Sequence, residues 1–368
     1  MPYRICQLIT ELGPAGAERC VYELASRLDK SRFTVEVIAL CGGEVAGWLR
    51  RAGIEVTVLG VRGKWDAIKL FRLARLLRTR QIDLLHTHLF HADLAGRFAA
   101  ILAGVDHVIH TVHVAEGRAR PWQFAFARLM QRFCDRIVCV SQNVMDFHRR
   151  KTGIKRSLYK VIHNGVDINA YSRDADARKR IRDNWQLAED DFLAAFVGRL
   201  DYQKGISTLL EAITQLAEKG SPVNIVLAGA GPQRKAVENH IASAPGGSLC
   251  RLLGFTNDIR SVLSAADALV MPSRWEGFGL SALEALAAGL PVIATSVPGL
   301  REVVINNVTG ILINPDDPAA LAAAIQTLRQ NPEIRKSLGK AGASRALCTF
   351  SIEKNIRAHE KLYADILG

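Results

Sequence analysis

Short apolar runs alternate with longer stretches in which apolar positions recur every three or four residues, and this alternation continues along almost the whole 368-residue chain. A run too short for a helix, followed by a helical period, reads as a strand and its crossover, which is the rhythm of a parallel sheet. The runs predict strands over residues 4–9, 34–40, 56–59, 84–87, 108–112, 137–140 and 160–162. After the polar stretch "HNGVDINAYSRDADARKR" a second series follows over 192–197, 224–228, 270–271 and 292–294. The pattern implies an α/β chain of two doubly wound, Rossmann-like domains, 1–168 and 169–349, with a boundary near Asp167 to Tyr171. The tail "FSIEKNIRAHEKLYADIL" (Phe350–Leu367) has helical spacing and no strand to follow, so it either caps the second domain or packs back onto the first. In such sheets ligands bind beyond the carboxyl ends of the strands, and two facing domains would enclose one cleft.

Composition adds mostly exclusions. With 49% hydrophobic and 23% charged residues the chain is an ordinary globular protein, long enough for two domains. Seven cysteines (Cys6, Cys20, Cys41, Cys134, Cys139, Cys250, Cys348) are odd in number and show no CxxC pair, which points to buried thiols in a reducing compartment rather than to disulfides or zinc. No run has the ~18 apolar residues of a membrane span, and the N-terminus enters a strand, "YRICQLIT", rather than a signal peptide. A cytoplasmic protein is expected.

Charge changes the picture more. Residues 1–172 hold 26 Lys and Arg against 15 Asp and Glu, whereas 173–368 hold 22 against 21. Nearly all of the net +12 is therefore in the first half, which implies an anionic partner. A nucleic-acid partner is not favoured, because no helix-turn-helix, zinc or RNP pattern appears and the aromatics are not interleaved with the cations. On a helical wheel, "KWDAIKLFRLARLLRTRQ" (Lys64–Gln81) puts Leu70, Leu73, Ala74 and Leu77 on one face. The other carries Lys64, Lys69, Arg72, Arg75 and Arg80, with Trp65, Ile68 and Leu76 among them. That outer face suits an anionic membrane surface as well as it suits a solvated basic helix, and "RARPWQFAFARLMQRF" (Arg118–Phe133) would add a second contact.

Candidate chemistry sits at the strand ends of the second half. In "AAFVGRLDYQKGISTLLEA" a strand is followed by Gly198 and Arg199, a turn, and Lys204 and Gly205 opening a helix. Two cations at a helix mouth form a natural phosphate site. In "PSRWEGFGLSALEALAAGLPVIAT" Glu276 lies in the loop before a helix and Glu284 eight residues later within it. Eight helical residues rise roughly 12 Å, too far for a catalytic acid/base pair flanking a sugar at ~5–9 Å. The glycine loop "IVLAGAGPQR" is neither a Walker loop nor GxGxxG.

These segments resemble the nucleotide-sugar-dependent, retaining glycosyltransferases of GT-B architecture, specifically glycosyltransferase family 4, over nearly the whole chain. The E-x7-E pair Glu276 and Glu284, followed by "AAGLPVIAT", is the most specific element. "VGRLDYQKGISTLLEA", "LLGFTNDI", "VIHNGVD" and the N-terminal "GPAGAER" (Gly13–Arg19) match further family segments, with Ala15-Gly16 replacing the usual double glycine. The resemblance implies transfer of a sugar from a UDP- or GDP-linked donor, without an essential metal or other cofactor, to a glycan or lipid-linked acceptor in envelope assembly. It assigns Arg199, Lys204 and the backbone of Gly277, Phe278, Gly279 and Leu280 to the leaving pyrophosphate, Glu276 to the sugar hydroxyls, and Glu284 to the ribose. Gly254 and Phe255 fall on the base-binding strand and loop, Gly16 on the donor side, and His113 against the sugar near the reacting carbon, with His88 a candidate on the acceptor side. A sugar-nucleotide epimerase or an inactive donor-binding relative would keep the same phosphate pair.

Other constellations read as structural. "HTHLFH" (His86, His88, His91) and "HVIHTVH" (His107, His110, His113) lack neighbouring carboxylates, and in a strand His110 faces away from the other two of its group. Asp174-Ala175-Asp176 lies in the polar linker and reads as a helix start. Ser141 in "SQN" reads as an N-cap rather than a nucleophile, since no GxSxG elbow surrounds it.

Overall fold

The structure is a computed structural model that describes residues 1–61, 67–115 and 120–368. The chain divides into two compact units, Met1–Gly165 with Ile352–Gly368, and Val166–Ser351.

The first unit is built on seven strands: β1 (Tyr3–Ile9), β2 (Phe33–Ala39), β3 (Glu55–Val58), β4 (Leu84–His88), β5 (His107–Val112), β6 (Arg136–Cys139) and β7 (Tyr159–Val161). Their order is β3-β2-β1-β4-β5-β6-β7, every pairing is parallel, and helices fill the crossovers. The central strands are closed to water on both faces; all five residues of β4 are buried. The C-terminal helix Ile352–Leu367 belongs to this unit. Its Ile352, Ile356, Leu362 and Tyr363 pack with Ile5, Phe33, Leu84, Ile109 and Val138.

The second unit holds β8 (Leu193–Val197), β9 (Asn224–Ala228), β10 (Cys250–Gly254), β11 (Ala268–Met271), β12 (Val292–Thr295) and β13 (Gly310–Ile313), in the order β10-β9-β8-β11-β12-β13. The helix Ile206–Glu218 shows why the pattern was readable: Ile206, Leu209, Ala212, Ile213 and Leu216 are buried at helical spacing. β13 is a strand that periodicity does not predict, because four residues flanked by polar turns carry no period of their own. Ser141 and Asp174 cap helices, accepting from the N–H of Val144 at 3.1 Å and of Ala177 at 2.9 Å.

Each order reverses once, between β1 and β4 in the first unit and between β8 and β11 in the second. The chain leaves a central strand in opposite directions there, and the crevice beyond the strand ends is where doubly wound sheets bind ligands.

The basic helix of the first unit is Ala67–Thr79. Lys64, Trp65 and Arg118 lie outside the described residues. Leu73, Ala74 and Leu77 are buried as the wheel requires, and Leu70 is half-buried on the same core. Two outer-face assignments are corrected. Leu76 packs onto that core. Arg80 turns to the sheet edge, where it pairs with Glu36 at 3.0 Å and Glu55 at 2.7 Å. Ile68 and Phe71, by contrast, are 80% and 62% exposed.

Candidate functional site

At the reversal in the second unit the loops after β8 and β11 are clasped together. Gly205 sits at φ +67, and a Cβ there would fall 2.0 Å from Pro272 O, so only glycine lets the two loops approach. Arg274 N donates to Gln203 O at 2.7 Å, and Gln203 Nε2 donates to Trp275 O at 3.0 Å. The clasp brings Lys204 Nζ to 2.5 Å from Glu276 Oε1, although the two residues are 72 apart in sequence. Ser273 Oγ donates to the same oxygen at 2.9 Å. Glu276 is buried, so its carboxylate needs both partners.

Arg199 differs in kind. Its Nε donates to Asp201 Oδ2 at 2.6 Å, yet its side chain is 68% exposed against 19% for Lys204. Asp201 also accepts from Lys204 N at 3.1 Å, capping the tight turn Tyr202–Lys204 that precedes the helix Ile206–Glu218. One carboxylate therefore orients both cations of the turn. Lys204 ends that turn and Gly205 caps the helix, which begins at Ile206, a residue or two later than the start expected from sequence.

Gly277, Phe278 and Gly279 are buried and lead into the helix Leu280–Ala287, with Gly279 as its N-cap and no side-chain cap. The Phe278 ring packs edge-on against Phe350 at 5.5 Å, so only its backbone remains for a ligand. Glu284, within this helix, is buried and accepts from the Tyr171 hydroxyl at 2.9 Å. The carboxyl ends of β8, β9 and β10 meet through glycines. Gly229 N donates to Gly254 O at 2.7 Å, and a Cβ on Gly229 would fall 1.8 Å from Gly198 O. Phe255, one residue past Gly254, is exposed.

At the reversal in the first unit the groups are neutral and mostly buried. Gln7 on β1, His86 and His88 on β4, and His113 just beyond β5 lie on one sheet face, together with Tyr363 of the C-terminal helix. His88 Nδ1 is 3.0 Å from His113 Nε2, and His88 Nε2 is 2.7 Å from Gln7 Oε1. Burial, reinforced by the neighbouring histidines, holds His86 and His88 well below the usual imidazole range and His113 down to about 3. His110 faces the other way, with Nδ1 at 3.3 Å from Asp93 Oδ1. Asp93 in turn pairs with the fully buried Arg97 at 2.8 Å.

Gly16 is the exposed first residue of the helix Gly16–Arg27, whose N-cap Ala15 offers no side-chain bond. Glu18 of that helix is buried, its Oε2 finds no hydrogen-bond partner among the described residues, and burial raises its carboxyl to about 7.

The structure thus gathers Arg199, Lys204, Glu276 and the loop Gly277–Leu280 in the second unit, and His88 with His113 in the first. Asp201, Ser273, Gln203, Tyr171, Gln7 and Tyr363 were not singled out from sequence. Asp201 and Ser273 carried a local signal, each lying three residues before the group it holds, Lys204 and Glu276; the others act over long sequence separations that no local spacing records.

Two family models match the chain: "Glycosyltransferase Family 4" over residues 14–170 and "Glycosyl transferases group 1" over residues 177–345. The UDP-Gal:alpha-D-GlcNAc-diphosphoundecaprenol alpha-1,3-galactosyltransferase of Escherichia coli is 27% identical across 96% of this chain and 94% of its own length. An uncharacterized glycosyltransferase of Methanocaldococcus jannaschii is 30% identical across 83% of this chain and 82% of its own. Among solved structures, Anabaena HepE in complex with UDP-glucose superposes with a TM-score of 0.89 at 23% identity, covering 98% of this chain and 99% of that one; this likeness concerns the fold.

Proposed function

The chain belongs to glycosyltransferase family 4, and from that premise we propose that it is a retaining, metal-independent enzyme moving a sugar from a UDP- or GDP-linked donor to a glycan or lipid-linked acceptor in envelope polysaccharide or glycolipid assembly. The observation that carries this reading is the clasp in the second unit: Lys204 held at 2.5 Å from Glu276, beside an exposed Arg199 and an uncapped helix start. Fixed cations and backbone N–H groups aimed at a leaving pyrophosphate do the work that a metal does elsewhere, and one such donor contributes ~3–4 kcal/mol in known cases. Glu276 has one oxygen engaged by Lys204 and Ser273 and would offer the other to sugar hydroxyls. Glu284, braced by Tyr171, would accept from the ribose; Gly254 and the exposed Phe255 would flank the base; Gly16 would serve as a donor-side residue. His113 would contact the sugar, and His88 would stand on the acceptor side.

The E. coli relative's name pairs a UDP-sugar with a diphosphoundecaprenol acceptor, which supports the UDP option and a lipid-linked acceptor. A cytoplasmic enzyme docked on the inner membrane face would fit such an acceptor. None of the described helices is long and apolar enough to cross a membrane. Supporting surface docking, Ile68, Phe71, Phe98, Ile101, Trp122 and Leu129 are exposed among exposed Arg72, Arg75, Arg128 and Arg132, a mixture suited to an anionic headgroup layer at ~1 kcal/mol per cation. Co-sedimentation with anionic but not neutral vesicles at low salt is the expected outcome, and no sedimentation with either would remove the membrane from the proposal.

The function itself is tested by a thermal-shift screen of nucleotide sugars, followed by product analysis with the stabilising donor in EDTA. Transfer or donor hydrolysis that survives EDTA is expected. A changed sugar nucleotide with no transfer would indicate an epimerase, and activity lost in EDTA and restored by magnesium would overturn metal independence.

A further inference from the structure

His113 stands at one end of a hydrogen-bond chain that crosses the interior of the first unit. From His113 Nε2 it runs 3.0 Å to His88 Nδ1, then from His88 Nε2 2.7 Å to Gln7 Oε1. It continues from Gln7 Nε2, which donates to the Tyr363 hydroxyl at 3.0 Å. That hydroxyl lies 2.7 Å from His86 Nδ1, and His86 Nε2 lies 2.6 Å from Thr111 Oγ1. Gln7, His86, His88, Thr111 and Tyr363 are all buried.

With the Gln7 amide placed so that Oε1 faces His88 and Nε2 faces the Tyr363 hydroxyl, donor and acceptor rules leave one assignment. An amide oxygen only accepts, so the proton of His88 is on Nε2. His88 is neutral, held so by burial, and its Nδ1 must therefore accept, which puts the proton of His113 on Nε2. At the other end the Tyr363 oxygen receives the amide N–H of Gln7, so its own proton goes to His86 Nδ1, and His86 Nε2–H donates to Thr111. Turning the Gln7 amide over reverses every bond and moves the proton of His113 to Nδ1; the chain is cooperative, with a single polarity throughout. Nδ1 of His113 has no partner among the described residues and is not one of their buried orphan atoms.

We propose that Tyr363 of the C-terminal helix and Gln7 of β1 are positioning residues that fix the tautomer of His113, holding its Nδ1 unprotonated as the acceptor for a hydroxyl of the donor sugar. This rests on the reading of His113 as a sugar contact. It gives the return of the C-terminal helix to the first unit a role beyond packing. The helix supplies the hydroxyl that joins the Gln7 amide to His86, and without it the Gln7 N–H loses its buried acceptor.

The test is the nitrogen spectrum of His113, recorded by long-range proton–nitrogen NMR at pH 7 on wild type, Tyr363→Phe, Gln7→Met and, as control, Tyr159→Phe. Tyr159 bonds His148 Nδ1 at 2.8 Å outside the chain, so its variant perturbs a buried histidine without touching His113. Wild type should show the proton on Nε2. Tyr363→Phe, which keeps the ring against Phe33, and Gln7→Met should each give a mixture of tautomers and roughly tenfold lower kcat at unchanged donor KM, with the control at wild-type values. A wild-type proton on Nδ1, or a tautomer unmoved in both chain variants, overturns the proposal. A tautomer that shifts with kcat unchanged upholds the chain and removes His113 from the sugar site instead.

Discussion

The two sheets are wound alike, each with a single reversal of strand order, but they finish those reversals with opposite chemistry. In the second unit the crevice is edged by ions, with Lys204 on Glu276 and Arg199 on Asp201, and the exposed guanidinium is free to exchange partners at little cost. In the first unit it is lined by Gln7, His86, His88, His113 and Tyr363, a neutral network buried except at the half-buried His113. Fixed charge suits a diphosphate, whose charge must be met. Neutral, pre-oriented donors and acceptors suit sugar hydroxyls, which would gain little from an ion and would have to compete with its counter-ion. One fold repeated within a chain can thus carry different chemistry at equivalent places in its two halves.

The sharpest way to break this division is to remove the cations. Lys204→Ala should lower turnover about 10³-fold, and it should also destabilise the second unit, because Glu276 is left buried with Ser273 as its remaining side-chain donor. Arg199→Ala should lower turnover about 10²-fold and cost less stability than Lys204→Ala, since Arg199 is exposed and the buried Asp201 keeps the N–H of Lys204. Steady-state rates and thermal melts of the two variants decide this; equal loss of stability in both would mean the cations are structural.

Next in size is the ribose contact. Glu284→Ala should weaken the free nucleotide about tenfold, and Tyr171→Phe severalfold, since a hydrogen bond to a charged group contributes ~1.5–3 kcal/mol. Glu276→Gln should leave nucleotide affinity intact and lower turnover. Calorimetry that found nucleotide affinity unchanged in Glu284→Ala would move the ribose elsewhere.

A third contrast is acid sensitivity. His113 is held down to about 3 and His148 and His359 to about 4, with His86, His88 and His110 also lowered. Each folded pKa lies below the unfolded value near 6.5, so the unfolded state takes up protons first, and stability falls as pH drops from about 6.5 towards 3. Glu18, raised to about 7, and Glu36, also raised by burial, oppose this but are two carboxyls against six histidines. The second unit contains one histidine, His240. Hydrogen exchange at pH 4.5 should therefore show the first unit opening before the second; simultaneous opening would contradict the neutral network.

Much of the fold was legible because parallel strands buried on both faces are written as unbroken apolar runs, as in "LAAFV" of β8 and "VIAT" of β12. β10 was legible only by resemblance, since Arg251 is exposed and two neighbours are half-buried, and β13 was not read at all. The wheel placed Leu73 and Leu77 correctly but erred at Leu76 and Arg80, because it knows the helix axis and not the carboxylates of Glu36 and Glu55 waiting on β2 and β3. In the candidate site the cations and both glutamates announced themselves by position at strand and helix ends. Their partners did not: Tyr171 is 113 residues from Glu284, and Tyr363 is 356 from Gln7, distances that only tertiary structure closes.

The central claim, that the second unit's cations hold the diphosphate of a nucleotide, is tested most directly by calorimetric titration of UDP and GDP, and of the phosphate-free nucleosides, into wild type, Arg199→Ala and Lys204→Ala. One diphosphate should bind wild type and lose at least about tenfold in affinity in each variant, while the matching nucleoside binds all three proteins equally and weakly. Diphosphate affinity that survives both substitutions, or a loss shared equally by the nucleoside, would contradict the account.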